Sequence, residues 1–180
     1  MQKIFCTALA LTLSGCNSVY QRPMGLDDTA KVRFVAAQQK HKHSAMSVYA
    51  HTGEGCRAPQ KIVGLGGGVL NVGGLAPELG DIGMSKNPVS TYVLGQYFET
   101  SVHADKRFHF TIIGEEPGRS CKVSVSFLPA AREEYEVTYV TGQSSCSVSV
   151  EKISLQNSSF VKKPEPSSVK LQNACVLLLN

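Results

Sequence analysis

The chain has 180 residues, a formal charge of +4 from 18 basic and 14 acidic side chains, six cysteines and no tryptophan. This length supports one domain with a real core. The charge is mild and scattered, so it does not supply the concentrated basic face that a nucleic-acid binder needs. The missing tryptophan counts against a sugar-stacking platform.

Lys3 gives a short positive start, and Ile4 to Leu13 form an apolar run of ten residues. A helix that spans a bilayer needs about 20 residues. The run is too short for that and has the length of the apolar segment of an export signal. It meets Leu13-Ser14-Gly15-Cys16, which resembles the lipobox of bacterial lipoproteins: a branched apolar residue, two small residues, then the cysteine to be lipidated. The resemblance covers only the leader. It implies diacylglycerol on the Cys16 sulfur, cleavage between Gly15 and Cys16, and usually a further acyl chain, such as palmitate, on the new amino terminus. Two or more acyl chains anchor a protein stably, at about 0.8 kcal/mol per buried CH₂. The alternative is an ordinary signal peptide with an incidental cysteine, as Cys6 must be. In bacteria that sort lipoproteins by the next residue, aspartate retains the protein at the inner membrane. Asn17 therefore points to the outer membrane, with the domain in the periplasm.

Removal of residues 1–15 leaves 165 residues and a charge of +3, and no later apolar stretch is long enough for a second membrane segment. The organisation expected is a signal peptide over 1–15, a lipidated tether over 16–29 and one domain over 30–180. With Cys6 lost and Cys16 lipidated, Cys56, Cys121, Cys146 and Cys175 remain. An even set in an oxidising compartment reads as two disulfides, with three possible connectivities. No pair has CxxC spacing, which weakens zinc-site and thioredoxin-like readings.

In chain order, the polar stretch from Asn17 to Thr29, with Pro23 and Gly25, reads as a mobile tether. Lys31-Val32-Arg33-Phe34-Val35-Ala36 and Ala45-Met46-Ser47-Val48-Tyr49-Ala50 are predicted strands of a hairpin. Its basic tip carries His41 and His43, which read as a solvated loop because two histidines at this spacing lack a third ligand. Eight of the sixteen glycines then fall between Gly64 and Gly83. No Gly-Lys-Ser/Thr opens a helix here, and no alternation of strand and helix surrounds the run, so a phosphate-cradling loop is not supported. A long surface excursion is expected, with Leu65, Val69, Leu70, Val72 and Leu75 ordering it and Cys56 at its base. Such loops tend to be functional, and a partner surface is sought here first.

A strand is predicted within Tyr92 to Val102. Arg107-Phe108-His109-Phe110-Thr111-Ile112-Ile113 alternates, with Phe108, Phe110 and Ile112 inward and His109 on an exposed polar face. Glu115-Glu116-Pro117-Gly118 is a turn. Strands with Cys121, Val123, Val125 and Phe127 inward, then Tyr135, Val137 and Tyr139, then Cys146, Val148 and Val150, read as a meander. The pleat places Cys121 and Cys146 on the core side, which favours pairing them and leaves Cys56 for Cys175. Against this, the outer strands of a three-stranded meander lie about 10 Å apart, so one end would have to cross to the facing sheet. Ser154 to Ser168 reads as a linker or edge loop, and Val169 to Leu179 as a last strand.

These elements predict an all-β fold: an antiparallel β-sandwich of about seven strands with a long glycine-rich loop. Phe127-Leu128-Pro129, Tyr135-Glu136-Val137 and Cys146-Ser147-Val148-Ser149-Val150 resemble small β-sandwich lipoproteins of uncharacterised function in Gram-negative bacteria, over about a third of the chain. That resemblance implies no activity. There is no Gly-x-Ser-x-Gly, no carboxylate stands out as buried, and no catalytic, cofactor or metal set emerges. The expectation is a membrane-anchored binding or structural module, not an enzyme, that holds an envelope protein partner. A periplasmic hydrolase on cell-wall or carbohydrate material is the alternative, and a small-ligand carrier using the sandwich interior a third.

Overall fold

The computed structural model describes residues 19–25, 27–37, 45–52, 57–66, 75, 80–90, 92–93, 95–142, 145–157 and 159–171. Among these residues the chain forms ten strands and no helix. They are β1 (Thr29–Ala37), β2 (Ala45–Thr52), β3 (Arg57–Gly66), β4 (Tyr97–His103), β5 (Phe108–Glu116), β6 (Arg119–Phe127), β7 (Glu134–Thr141), β8 (Cys146–Gln156), β9 (Ser159–Pro164) and β10 (Val169–Leu171). They build two five-stranded sheets, one in the order β4-β1-β7-β8-β9 and the other β10-β6-β5-β2-β3. The fold is thus an all-β sandwich, with ten strands where about seven were expected. Each strand pair is antiparallel except β1 with β7, which run parallel with Lys31 opposite Glu134 and Ala37 opposite Val140.

The period-2 pattern sets the core. Val32 and Phe34 of β1, Phe110 and Ile112 of β5, Phe127 of β6 and Tyr135 and Val137 of β7 are all buried. Phe34 meets Phe110 edge-on at 5.5 Å, and Phe127 lies 5.0 Å from Tyr135, so the rings knit the two sheets together. Fully burying one such side chain stabilises by about 1.5–3 kcal/mol. An interior ligand of the carrier kind would have to displace these rings.

Four expectations are corrected. First, β1 and β2 form no hairpin. They lie in different sheets, and β2 pairs with β3 and β5. Both strands have a buried face, and the sandwich satisfies both by placing them in separate sheets that share one core. Second, the meander breaks between β6 and β7. The chain crosses to the other sheet over residues 128–133, where Pro129 cannot donate to a ladder. Third, 154–168 is not a linker. Ser154 to Gln156 continue β8, and β9 returns from a turn at Asn157, whose φ of 50° suits asparagine. Fourth, the stretch read as a tether is fastened early. Val19 pairs with Lys61, the Tyr20 amide donates to the Lys61 carbonyl at 3.1 Å, and the Tyr20 hydroxyl donates to the Ser101 carbonyl at 3.0 Å. Tyr20 therefore bridges the edge strands β3 and β4, and its ring joins the core at 8% exposure. One large aromatic ring outweighs the polar company in which it sits.

Within the glycine-rich stretch, Gly64 and Gly66 belong to β3, and Leu65 is a core residue. Leu75 packs against the core, and its amide donates to the Ile62 carbonyl at 2.8 Å. Val69, Leu70 and Val72 lie outside the described residues. From residue 80 the chain lies against β4. The Gly80 carbonyl accepts the Glu99 amide at 2.7 Å, and a side chain at Gly80 would run into the Phe98 ring.

Candidate functional site

Two places in the sandwich gather chemistry. One is a cleft of about 480 Å³ at the end where β2 and β4 finish and β3 and β5 begin. Its lining is Tyr20, Gln21, Ala50, His51, Thr52, Gln60, His103, Lys106, Arg107 and Phe108. The β4–β5 turn supplies the cations. Asp105, at a positive φ of 56°, reverses the chain so that Lys106 and Arg107 follow at the rim. Tyr20, Ala50 and Phe108 are buried and apolar, while His103, Lys106 and Arg107 are exposed. Arg107 donates to the Ser126 hydroxyl at 3.4 Å and the Ser167 carbonyl at 3.2 Å. Among the described residues no aspartate or glutamate lines the cleft. It joins two fixed cations and two histidines to an apolar floor.

His51 leads from this cleft to a short polar row on the outer face of its sheet. Its Nε2 lies 2.8 Å from the Thr111 hydroxyl, which lies 2.7 Å from the Ser124 hydroxyl. Register places His51 opposite His109, and His109 opposite Ser126. Thr111, Ser124 and Ser126 are buried, and His109 is half-buried where an exposed strand histidine was expected. His51 of β2, Thr111 of β5 and Ser124 of β6 thus hydrogen-bond laterally across three neighbouring strands.

The second place is a charge row on the outer face of the other sheet. Arg33 lies opposite Glu99 across the β1–β4 pair and opposite Glu136 across the β1–β7 pair. All three are buried, Arg33 and Glu99 at 0% exposure and Glu136 at 3%. Arg33 Nε and Nη2 donate to Glu99 Oε1 at 2.9 and 2.7 Å, and Nη1 donates to Glu136 Oε2 at 3.2 Å. Glu99 Oε2 accepts the amides of Ile82 and Met84 at 2.8 and 3.2 Å. Tyr92 caps the row: its ring lies 4.4 Å from the Arg33 guanidinium, and its hydroxyl donates to Glu136 Oε2 at 3.0 Å. Lys162 of β9 pairs with the other Glu136 oxygen. Burial opposes the Arg33 charge, but Glu99, Tyr92 and Glu136 outweigh it and raise its pKa further. Burial, then Glu136, pushes the Tyr92 phenol up.

This row fastens residues 80–90 and Tyr92 over the sheet. Further pins are the Ser85 amide to Glu134 Oε2 at 2.7 Å, and Lys86 and the Tyr97 hydroxyl to Asp81 Oδ2 at 2.7 and 3.0 Å. Every charged oxygen of Glu99 and Glu136 is engaged within the protein, so the row holds chain. It overturns the expectation that no carboxylate is buried. Glu136 sits between the core residues Tyr135 and Val137, and Glu99 between Phe98 and Thr100. Outward charges next to inward apolar residues are what any exposed strand shows, so only the register of three strands reveals one arginine between two glutamates.

Of the residues singled out in the sequence, Cys121 and Cys146 form a disulfide, with Cα atoms 6.4 Å apart. They join β6 of one sheet to β8 of the other, which removes the objection from strand spacing. Cys16, Cys56, Cys175, His41 and His43 lie outside the described residues. Among the described residues no three His, Cys, Asp or Glu side chains converge in a way that could hold a metal. No family model matches the chain, and no curated protein matches it.

Proposed function

We propose that the chain is a lipid-anchored envelope protein of the outer membrane, exported by residues 1–15 and held by acyl chains on Cys16, and that its sandwich acts as a binding module at the membrane surface. The observation that carries this is the early docking of Val19 and Tyr20 on β3 and β4. Cys16 precedes Val19 by three positions, a reach of at most about 11 Å. The domain is thereby held close to its anchor instead of standing off on a long tether. Blocking lipoprotein processing with a globomycin-type inhibitor, or replacing Cys16 with Ser, should leave a slower-migrating precursor. Unchanged mobility would remove the anchor. Crosslinking in intact cells followed by pull-down should recover a reproducible envelope component.

A hydrolase acting on cell-wall or carbohydrate material is the second reading. The contact that favours it is the His51–Thr111–Ser124 row, an imidazole beside hydroxyls at one wall of an open cleft. It ranks second because both hydroxyls are buried and no carboxylate among the described residues lines the cleft. Loss of a measurable cell-wall hydrolysis in a His51→Gln variant would reverse the ranking.

A further inference from the structure

We infer that the end cleft receives the phosphate headgroup of an anionic membrane lipid. This rests on the proposed anchor at Cys16, because the anchor decides what the cleft faces. Three observations point the same way. Tyr20 and Gln21 line the cleft, and they lie four and five positions from Cys16, so the opening sits beside the point where the chain meets the bilayer. Among the described residues the charged rim is cationic: Lys106 and Arg107 stand with His51 and His103, and none of the described carboxylates lines the space. Asp28 and Asp105 lie at the same end but do not line it; the Asp28 carbonyl accepts the Ala104 amide, and the Asp105 amide donates to the Pro129 carbonyl. Among the described residues Lys106 has no ion pair, so its charge is available to a ligand.

The floor chooses among anions. Tyr20, Ala50 and Phe108 offer apolar surface in the same cleft as the cations, and the space is far larger than an orthophosphate ion. A molecule with phosphate at one end and glycerol and acyl carbon at the other satisfies both halves. Gln21, Thr52 and Gln60 can hydrogen-bond the headgroup hydroxyls. A lysine near an anionic bilayer contributes about 1 kcal/mol, which is roughly a fivefold change in affinity.

The test uses the full chain purified from envelopes in a nonionic detergent, titrated by calorimetry with water-soluble short-chain phosphatidylglycerol, short-chain phosphatidylcholine and inorganic phosphate. Phosphatidylglycerol should bind saturably and more tightly than the other two. Lys106→Ala should weaken it roughly fivefold, and Lys106→Glu should weaken it more. Lys163→Ala, on the edge strand β9, should leave it unchanged. Absence of saturable binding, or a Lys106→Ala chain that binds like the parent, would overturn the proposal. So would inorganic phosphate binding as tightly as the lipid, which would mark a site for a free anion. The mass of the amino-terminal peptide, read on the same preparation, reports the acyl chains on Cys16 separately. Failure of the anchor and failure of the cleft are therefore distinguishable.

Discussion

Arg33 shows how much one side chain can fix. Removing one partner of a buried ion pair leaves the others uncompensated, which costs about 3–5 kcal/mol, whereas replacing a whole set by apolar residues is often neutral. Arg33→Met should therefore lower stability by about 3–5 kcal/mol, read as a drop in the urea midpoint. Adding Glu99→Leu and Glu136→Leu should recover most of that loss. The triple variant should still expose residues 80–90 to protease, because the amides of Ile82 and Met84 lose the carboxylate they donate to. Asp81 gives a pH-dependent counterpart. Lys86, the Gly83 amide and Tyr97 hold its carboxyl at a pKa of about 2, against about 3.9 in an unfolded chain. A carboxylate with a depressed folded value adds stability above its unfolded value and loses it as pH falls through the folded one. The Asp81 contribution should be full above about pH 4 and vanish towards pH 2. The pair is exposed, so the effect stays below about 1 kcal/mol. Urea midpoints of the parent and of Asp81→Asn should differ at pH 6 and converge near pH 2.

Among the elements, β3 and β9 were hidden in the sequence, and the disguise of β9 has a physical reason. Edge strands expose unpaired backbone groups and are protected by lysine and proline against pairing with another molecule. Lys162, Lys163 and Pro164 are those protectors, and they made the segment look like a linker. Lys163→Val with Pro164→Val should raise light scattering at constant folded stability. An unchanged scattering curve would show that the edge is guarded in another way. By contrast β5, β6 and β7 were legible, since each alternates strictly over a buried face. Of the candidate site, Lys106, Arg107 and His51 were visible as residues but not as neighbours. They come from different strand ends, and only the packing of the two sheets brings them to one opening.

For the molecule as a whole, the Cys121–Cys146 bond joins the sheets across the core. A bridge closing a loop of this kind, with the cysteines 25 positions apart, contributes about 3 kcal/mol. Exchange of both cysteines for alanine should lower the unfolding free energy by about that amount, measured by urea titration without reductant. Addition of reductant should then have no further effect on that variant beyond the contribution of any other disulfide. Sandwich class and inward faces were readable from alternation alone. The assignment of strands to sheets was not, because alternation says which face is buried and nothing about which neighbour covers it.

The parallel pairing of β1 with β7 also dictates an order of events. β1 is an interior strand whose partner lies far along the chain: Lys31 and Glu134 are 103 positions apart. Until residues 134–140 exist and have arrived, β1 can be flanked only by β4, and Arg33 can meet only one of its two carboxylates. Closing so long a loop is entropically expensive, and chains rich in distant pairings fold slowly. The amino-terminal strand is thus among the first made and among the last completed, and the early-synthesised half must wait, with one edge open, for the late half to close it.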